Sequence, residues 1–101
     1  PDIFSSLREV CRKYGLAELT LATDDGLVLA TSASRDVEFD AVHYSQVVQL
    51  MTTPSEPDVS LYELQYKGSH LIGIIRANRH VPPIMRERIR DDTKVILQWW
   101  L

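Results

Sequence analysis

From Ile3 to Tyr14 the apolar side chains Ile3, Phe4, Leu7, Val10, Cys11 and Tyr14 recur at three- and four-residue intervals, which places one stripe on a helix. Asp2 stands where an N-cap belongs, and Gly15 stands where a left-handed C-terminal residue belongs. The period then changes to two. Ala17, Leu19 and Leu21 alternate with Glu18, Thr20 and Ala22, and a second apolar run covers Leu27 to Thr31. The step between these runs, Asp25-Gly26, predicts a two-residue type I′ hairpin turn with positive φ at both central residues. Ser32 to Val37 is a polar connection, and Asp36 is placed to cap the next element.

Phe39 to Met51 has no Gly or Pro and sets Phe39, Val42, Val47, Leu50 and Met51 in helical register, with Ala41, Tyr44 and Val48 on the flanks. So wide an apolar arc predicts a helix with two covered surfaces, one against the core and one against a partner. Pro54 and Pro57 in "TTPSEPD" end it. Val59 to Lys67 alternates, with Tyr62, Leu64 and Tyr66 on one face. After a turn at Lys67-Gly68-Ser69, the unbroken apolar run Leu71 to Ile75 predicts a central strand buried on both faces, and Gly73 within it predicts a bulge or a close approach by another segment. Pro82-Pro83 breaks the chain before a last helix from about Ile84, whose apolar residues are Met85, Ile89, Val95, Ile96, Trp99 and Trp100. The predicted class is α+β: one antiparallel sheet of four to five strands with helices on both sides, in the order α-β-β-α-β-β-(β)-α. Ala77 to Val81 is at most a stub of the extra strand.

Composition narrows the function classes. At 101 residues, 45% hydrophobic and 25% charged, the chain predicts one globular domain over residues 1–101 rather than a disordered segment. A net charge of -3 gives no global reason to seek nucleic acid, and no nucleic-acid partner is expected. The single Cys11 leaves no internal disulfide to form and points to a reducing, cytoplasmic setting. No apolar run approaches the roughly 18 residues that span a bilayer. The first residue is Pro1 rather than Met, so an excised or processed fragment is expected, with membrane contact only through a missing N-terminal segment.

Reactive constellations are scarce. His43, His70, His80 and Cys11 fall on separate predicted elements and lack the close ligand pair of a zinc site. Cys11 sits on an apolar stripe, and the four glycines are too dispersed for a phosphate loop. The Asp24-Asp25 pair would need further oxygen ligands to hold calcium, and "TDDGLV" supplies none before Asp36, so Asp25 and Gly26 are assigned as a structural turn. Arg76, Arg79, His80, Arg86, Arg88 and Arg90 form either an anion patch or a solvated face mixed with Glu87, Asp91 and Asp92. We expect no catalytic residue, metal or cofactor.

The helix "IFSSLREVCRKYG", the hairpin "AELTLATDDGLVLATS" and the helix "FDAVHYSQVVQLM", followed by a second hairpin and a terminal helix, resemble the roadblock family over nearly the whole chain. Longin and profilin folds share this general order. The family includes roadblock-type dynein light chains, scaffold subunits of lysosomal GTPase-regulating complexes and prokaryotic regulators of Ras-like GTPases. It usually has three strands between its second and third helices, where this chain has room for two. The resemblance implies a non-catalytic homodimerising module that pairs through the second helix and a neighbouring sheet edge and docks a small GTPase or a larger complex. On this reading His43, Tyr44, Val47, Val48 and Met51 are the candidate partner-facing residues; the alternative is that they pack on the protomer's own sheet. A different class also fits the strand pattern: a small-molecule sensor of GAF or PAS type, with Tyr62, Leu64 and Tyr66 lining its pocket.

Overall fold

A computed structural model describes residues 2–100. The chain runs α1 (Ile3–Tyr14), β1 (Glu18–Thr23), β2 (Val28–Thr31), α2 (Glu38–Gln49), β3 (Val59–Tyr66), β4 (Ser69–Arg76) and α3 (Pro83–Trp100). The strands form one antiparallel sheet in the order β2-β1-β4-β3. No fifth strand occurs among the described residues: after Arg76 the Ala77 amide still donates to the Asp58 carbonyl, and the chain then runs through residues 78–82 without forming a strand and enters α3 at Pro83, where a missing amide hydrogen costs the helix nothing.

Local chemistry sets the ends of α1 as the sequence predicts. The Asp2 carboxylate accepts the Ser5 amide at 2.7 Å, and Gly15 turns left-handed at φ 69°. The Arg79 guanidinium donates to the Tyr14 carbonyl at 2.7 Å and covers the helix's negative end.

Both faces of the sheet are covered. Alternation along β4 sends Leu71 and Ile75 into a core with α1 and α3, and sends Ile72 and Ile74 into a smaller core under α2. The central position of β4 accounts for its unbroken apolar run, because all five residues from Leu71 to Ile75 are buried. Gly73 lies directly opposite Tyr62, and a Cβ there would stand 2.0 Å from the tyrosine ring. The close approach expected at Gly73 is therefore the Tyr62 ring. That ring crosses the glycine to reach α3, where its hydroxyl donates to Thr93 Oγ1 at 2.6 Å while Thr93 donates to the Ile89 carbonyl at 2.8 Å. Tyr66 likewise donates to the Leu97 carbonyl at 3.0 Å. The face that a sensor domain would keep open for a ligand is thus filled by α1 and α3.

The two hairpins turn by different means. Of the β1–β2 loop residues only Gly26 has positive φ, at 93°, while Asp25 does not. The Gly26 amide donates to the Thr23 carbonyl and the Thr23 amide to the Leu27 carbonyl. This is a three-residue loop, Asp24-Asp25-Gly26, and not the two-residue type I′ turn expected there. Thr23 Oγ1 contacts Asp25 Oδ1 and accepts the Leu27 amide at 3.0 Å, so the side chain of Thr23 satisfies the loop that a tighter turn would have closed by backbone alone. Two positive φ values in succession occur instead at Lys67 (49°) and Gly68 (79°), joining β3 to β4.

Candidate functional site

One exposed apolar surface begins on α2. Asp36 Oδ1 accepts the Glu38 amide at 2.9 Å and starts the helix. Ala41, Tyr44 and Ser45 are buried against the sheet, and Val47 and Val48 pack half-buried over the core that contains Ile72 and Ile74. The opposite arc is also apolar. Phe39 is 77% exposed, Val42 49%, and beyond the helix end Leu50 is 73% and Met51 90% exposed. The Phe39 ring stacks on His43 with centroids 5.7 Å apart, and His43 meets Tyr44 edge-on at 4.7 Å.

Charge fixes which arc faces inward. Asp40 is 6% exposed and accepts ion pairs from Arg35 at 2.7 Å and Arg76 at 3.2 Å. Arg35 also reaches Glu18 at 2.8 Å, and Arg76 reaches Asp58 at 3.2 Å, so the start of α2 is tied to β1, β3 and β4. Burial alone would raise the Asp40 carboxyl, but hydrogen bonds from Arg76 and Arg35 outweigh it and hold its pKa below the ordinary carboxylate range. The Tyr44 hydroxyl donates to Glu56 at 2.6 Å, and burial, with that acceptor, pushes the phenol's pKa well up. The far end of α2 rests on the first hairpin. Gln49 donates to the Asp24 carbonyl at 2.6 Å, and a Cβ on Gly26 would come within 3.2 Å of the Val42 backbone. Asp25 and Gly26 are therefore structural in two senses: they turn the chain and they seat the helix.

Next to α2 the sheet ends in β3, which has a hydrogen-bonded neighbour on one side only. A groove along it is lined by Val48, Met51, Pro54, Val59 and Leu61. From the α2 side, Val48 and Met51 line this groove, while Phe39, Val42 and Leu50 lie outside it.

The five residues expected to face a partner are not equivalent. Met51 is exposed and His43 half-exposed. Val47 and Val48 pack on the protomer's own sheet and border the groove with their remaining surface. Tyr44 requires correction: at 2% exposure it is an internal residue, inserted beside Ile72 and Ile74. Phe39, Val42 and Leu50 hold the outer arc instead. They belong to the wide apolar arc read from the sequence, which predicts two covered surfaces without saying which residues take which one. Asp40 lies on the inward side, paired with Arg35 and Arg76, a contact formed only in three dimensions.

The remaining candidates are placed as follows. Cys11 is buried beside Ser32 at 3.4 Å, and burial pushes its thiol pKa up. His70 Nε2 lies 2.7 Å from Glu63 Oε1 and Nδ1 lies 3.6 Å from Asp24 Oδ2 at the protein surface. Arg76 and Arg79 are used internally, as described. Among the described residues no group of three or more His, Cys, Asp or Glu is arranged to hold a metal ion, and no helix is long and apolar enough to cross a membrane.

Comparison with known structures places this architecture. The chain is similar to a roadblock/LC7 domain from Streptomyces avermitillis (TM-score 0.61, 15% identity), over 98% of each chain. It is similar to MglB of Myxococcus xanthus (TM-score 0.61, 12% identity) and to MglB in a tetrameric arrangement (TM-score 0.61, 16% identity), in both cases over 98% of this chain and 90% of the other. No protein-family model and no curated protein matches the sequence. The fold is that of the roadblock class, α+β with helices on both faces of one sheet, here with four strands.

Proposed function

We propose that this chain is a non-catalytic regulatory module of the roadblock type. It pairs as a homodimer through the outer arc of α2 and the β3 edge, and offers the paired surface to a Ras-like small GTPase or a related multiprotein complex in the cytoplasm. The observation that carries the reading is the second apolar face of α2. Phe39, Val42, Leu50 and Met51 are exposed, and β3 has no strand paired on its outer side. A helix with its own sheet on one side and water on the other has no use for such an arc, whereas an isologous contact covers it twice. Resemblance to the roadblock family supplies the expected partner class, and the tetrameric arrangement of the similar MglB supports self-association of this fold.

Sedimentation equilibrium at micromolar concentration tests the pairing. The native chain is expected to be dimeric, and Val42→Asp, which alters a half-exposed side chain without entering the core, is expected to be monomeric. A native monomer, or an unchanged Val42→Asp, overturns the dimer. Capture from the native cell extract, scored for GTPases with the native chain and with Val42→Asp, tests the platform. A GTPase retained by the native chain alone supports it, and equal retention by both overturns it.

A further inference from the structure

A second exposed stripe lies on the other side of the sheet, on α3. Ile84, Arg88, Asp91 and Val95 follow one another at intervals of four, three and four residues, the spacing that keeps a line on one side of a helix. All four are exposed, Ile84 at 60% and Val95 at 53%, while Ile89, Thr93 and Leu97 on the opposite side of the same helix are fully buried. The order is apolar, cation, anion, apolar. Turned end for end, the stripe meets its own complement.

We propose that a second copy of this chain docks antiparallel on this stripe of α3, with Ile84 of each copy against Val95 of the other and Arg88 of each against Asp91 of the other. A two-fold axis between Arg88 and Asp91 generates both ion pairs and both apolar contacts at once, as an isologous interface requires. The charges are available for this. Arg88 has no carboxylate within 4 Å among the described residues, and Asp91 has only a 3.7 Å contact to Arg90 with 69% of its side chain exposed. Trp99 extends the line by one further turn at 82% exposure, and the same pairing brings it to the start of the other copy's α3. An anionic membrane is disfavoured as the occupant because Asp91 lies in the middle of the stripe and Asp92 beside it, where both would face like charge.

The surface is separate from the α2 face and goes beyond the function proposed above. One helix buries less than the roughly 800 Å² per partner of a standard interface, so the contact alone is weak and depends on concentration. Between chains already paired through α2 it links pair to pair.

Sedimentation velocity across a concentration series, from micromolar to near-millimolar, tests it in two backgrounds. In the native background we expect a species larger than a dimer at the upper end, and in Val42→Asp a dimer. Arg88→Asp and Asp91→Arg should each weaken this association by roughly tenfold or more, since each sets like charges face to face. The double variant Arg88→Asp/Asp91→Arg should restore it, because the two ion pairs re-form with their signs exchanged. Circular dichroism establishes that each variant is folded. The proposal is overturned if neither background shows this association, if the single variants leave it unchanged, or if the double variant stays as weak as the single ones. Failure of the α2 pairing alone leaves the result with Arg88 and Asp91 standing, so the two readings are separable.

Discussion

The two hairpins of the sheet begin from similar sequence signals, an acidic or basic residue followed by glycine, and end as different edges. At Lys67-Gly68 two residues of positive φ close a two-residue turn, and all eight residues of β3 pair with β4 in unbroken register. At Asp24-Asp25-Gly26 the loop has three residues and the ladder breaks. Leu21 faces Ala30 while Ala22 faces Val28, which leaves Leu29 as the extra residue of a bulge. β2 is therefore four residues long and kinked, and β3 is eight residues long and regular. A short, bulged edge resists pairing with another chain; a long, regular one invites it. The bulged hairpin also supports α2 from below. In this protein one edge is short and bulged and its hairpin seats α2, and the other edge is long and regular.

This contrast can be broken most severely at Gly73. Gly73→Ala drives a Cβ into the Tyr62 ring, which is packed between β4 and Thr93, so the open-edge hairpin should lose about 3 kcal/mol in urea unfolding, the upper end for an overpacked core. Asp40→Asn comes next, because it loosens the charge network that ties α2 to the strand ends of both hairpins. Arg35 and Arg76 keep Glu18 and Asp58 and are partly in water, so we expect about 2 kcal/mol at neutral pH, below the range for a fully buried pair. The pH dependence has a definite sign. The folded-state pKa of Asp40 is lowered, so its contribution is complete above the unfolded carboxylate value of about 3.9 and is lost as pH falls through the lower folded value. Below about pH 4 the native protein should lose stability faster than Asp40→Asn, and parallel declines in a pH series of urea melts would count against this account.

The glycines of the two turns give a direct comparison. Gly26→Ala meets both a strained φ of 93° and the backbone of Val42 at 3.2 Å, and about 2 kcal/mol is expected. Gly68→Ala at φ 79° meets nothing within 4 Å and should cost only the backbone strain, about 1 kcal/mol. Equal costs would mean that α2 does not rest on the first loop. The smallest effect is a change in amide exchange. Outward amides of β3 should gain protection as protein concentration rises, while Val28–Thr31 of β2 should not change; gains on both edges alike would remove the distinction.

Much of this was legible in the residues because it depends on local chemistry. Asp2 and Gly15 bound α1, and Pro83 opens α3, through backbone requirements that few residue types meet. The continuous apolar run of β4 marked it as the central strand, and Gly73 marked the approach of a neighbour without naming Tyr62. The misread positions share a cause. The type I′ turn was assigned to Asp25-Gly26 on dipeptide preference, but the Thr23 hydroxyl and the overlying α2 favour a three-residue loop there, and the less obvious Lys67-Gly68 adopts the two-residue turn. The wide arc of α2 does not by itself say which residues face the core, and the structure buries Tyr44 while leaving Phe39, Val42 and Leu50 exposed.

Period, capping and turn residues along the chain were enough to define the order of the elements, the antiparallel sheet, and the fact that α2 has more apolar surface than one core can cover. The orientation of α2 was decided by tertiary structure, because it depends on Arg35 and Arg76, 5 and 36 residues away in sequence, converging on the Asp40 carboxylate. A single helix can present either arc inward at similar hydrophobic gain. In the orientation adopted, the Asp40 carboxylate is buried and paired with both arginines, and Phe39, Val42 and Leu50 face out.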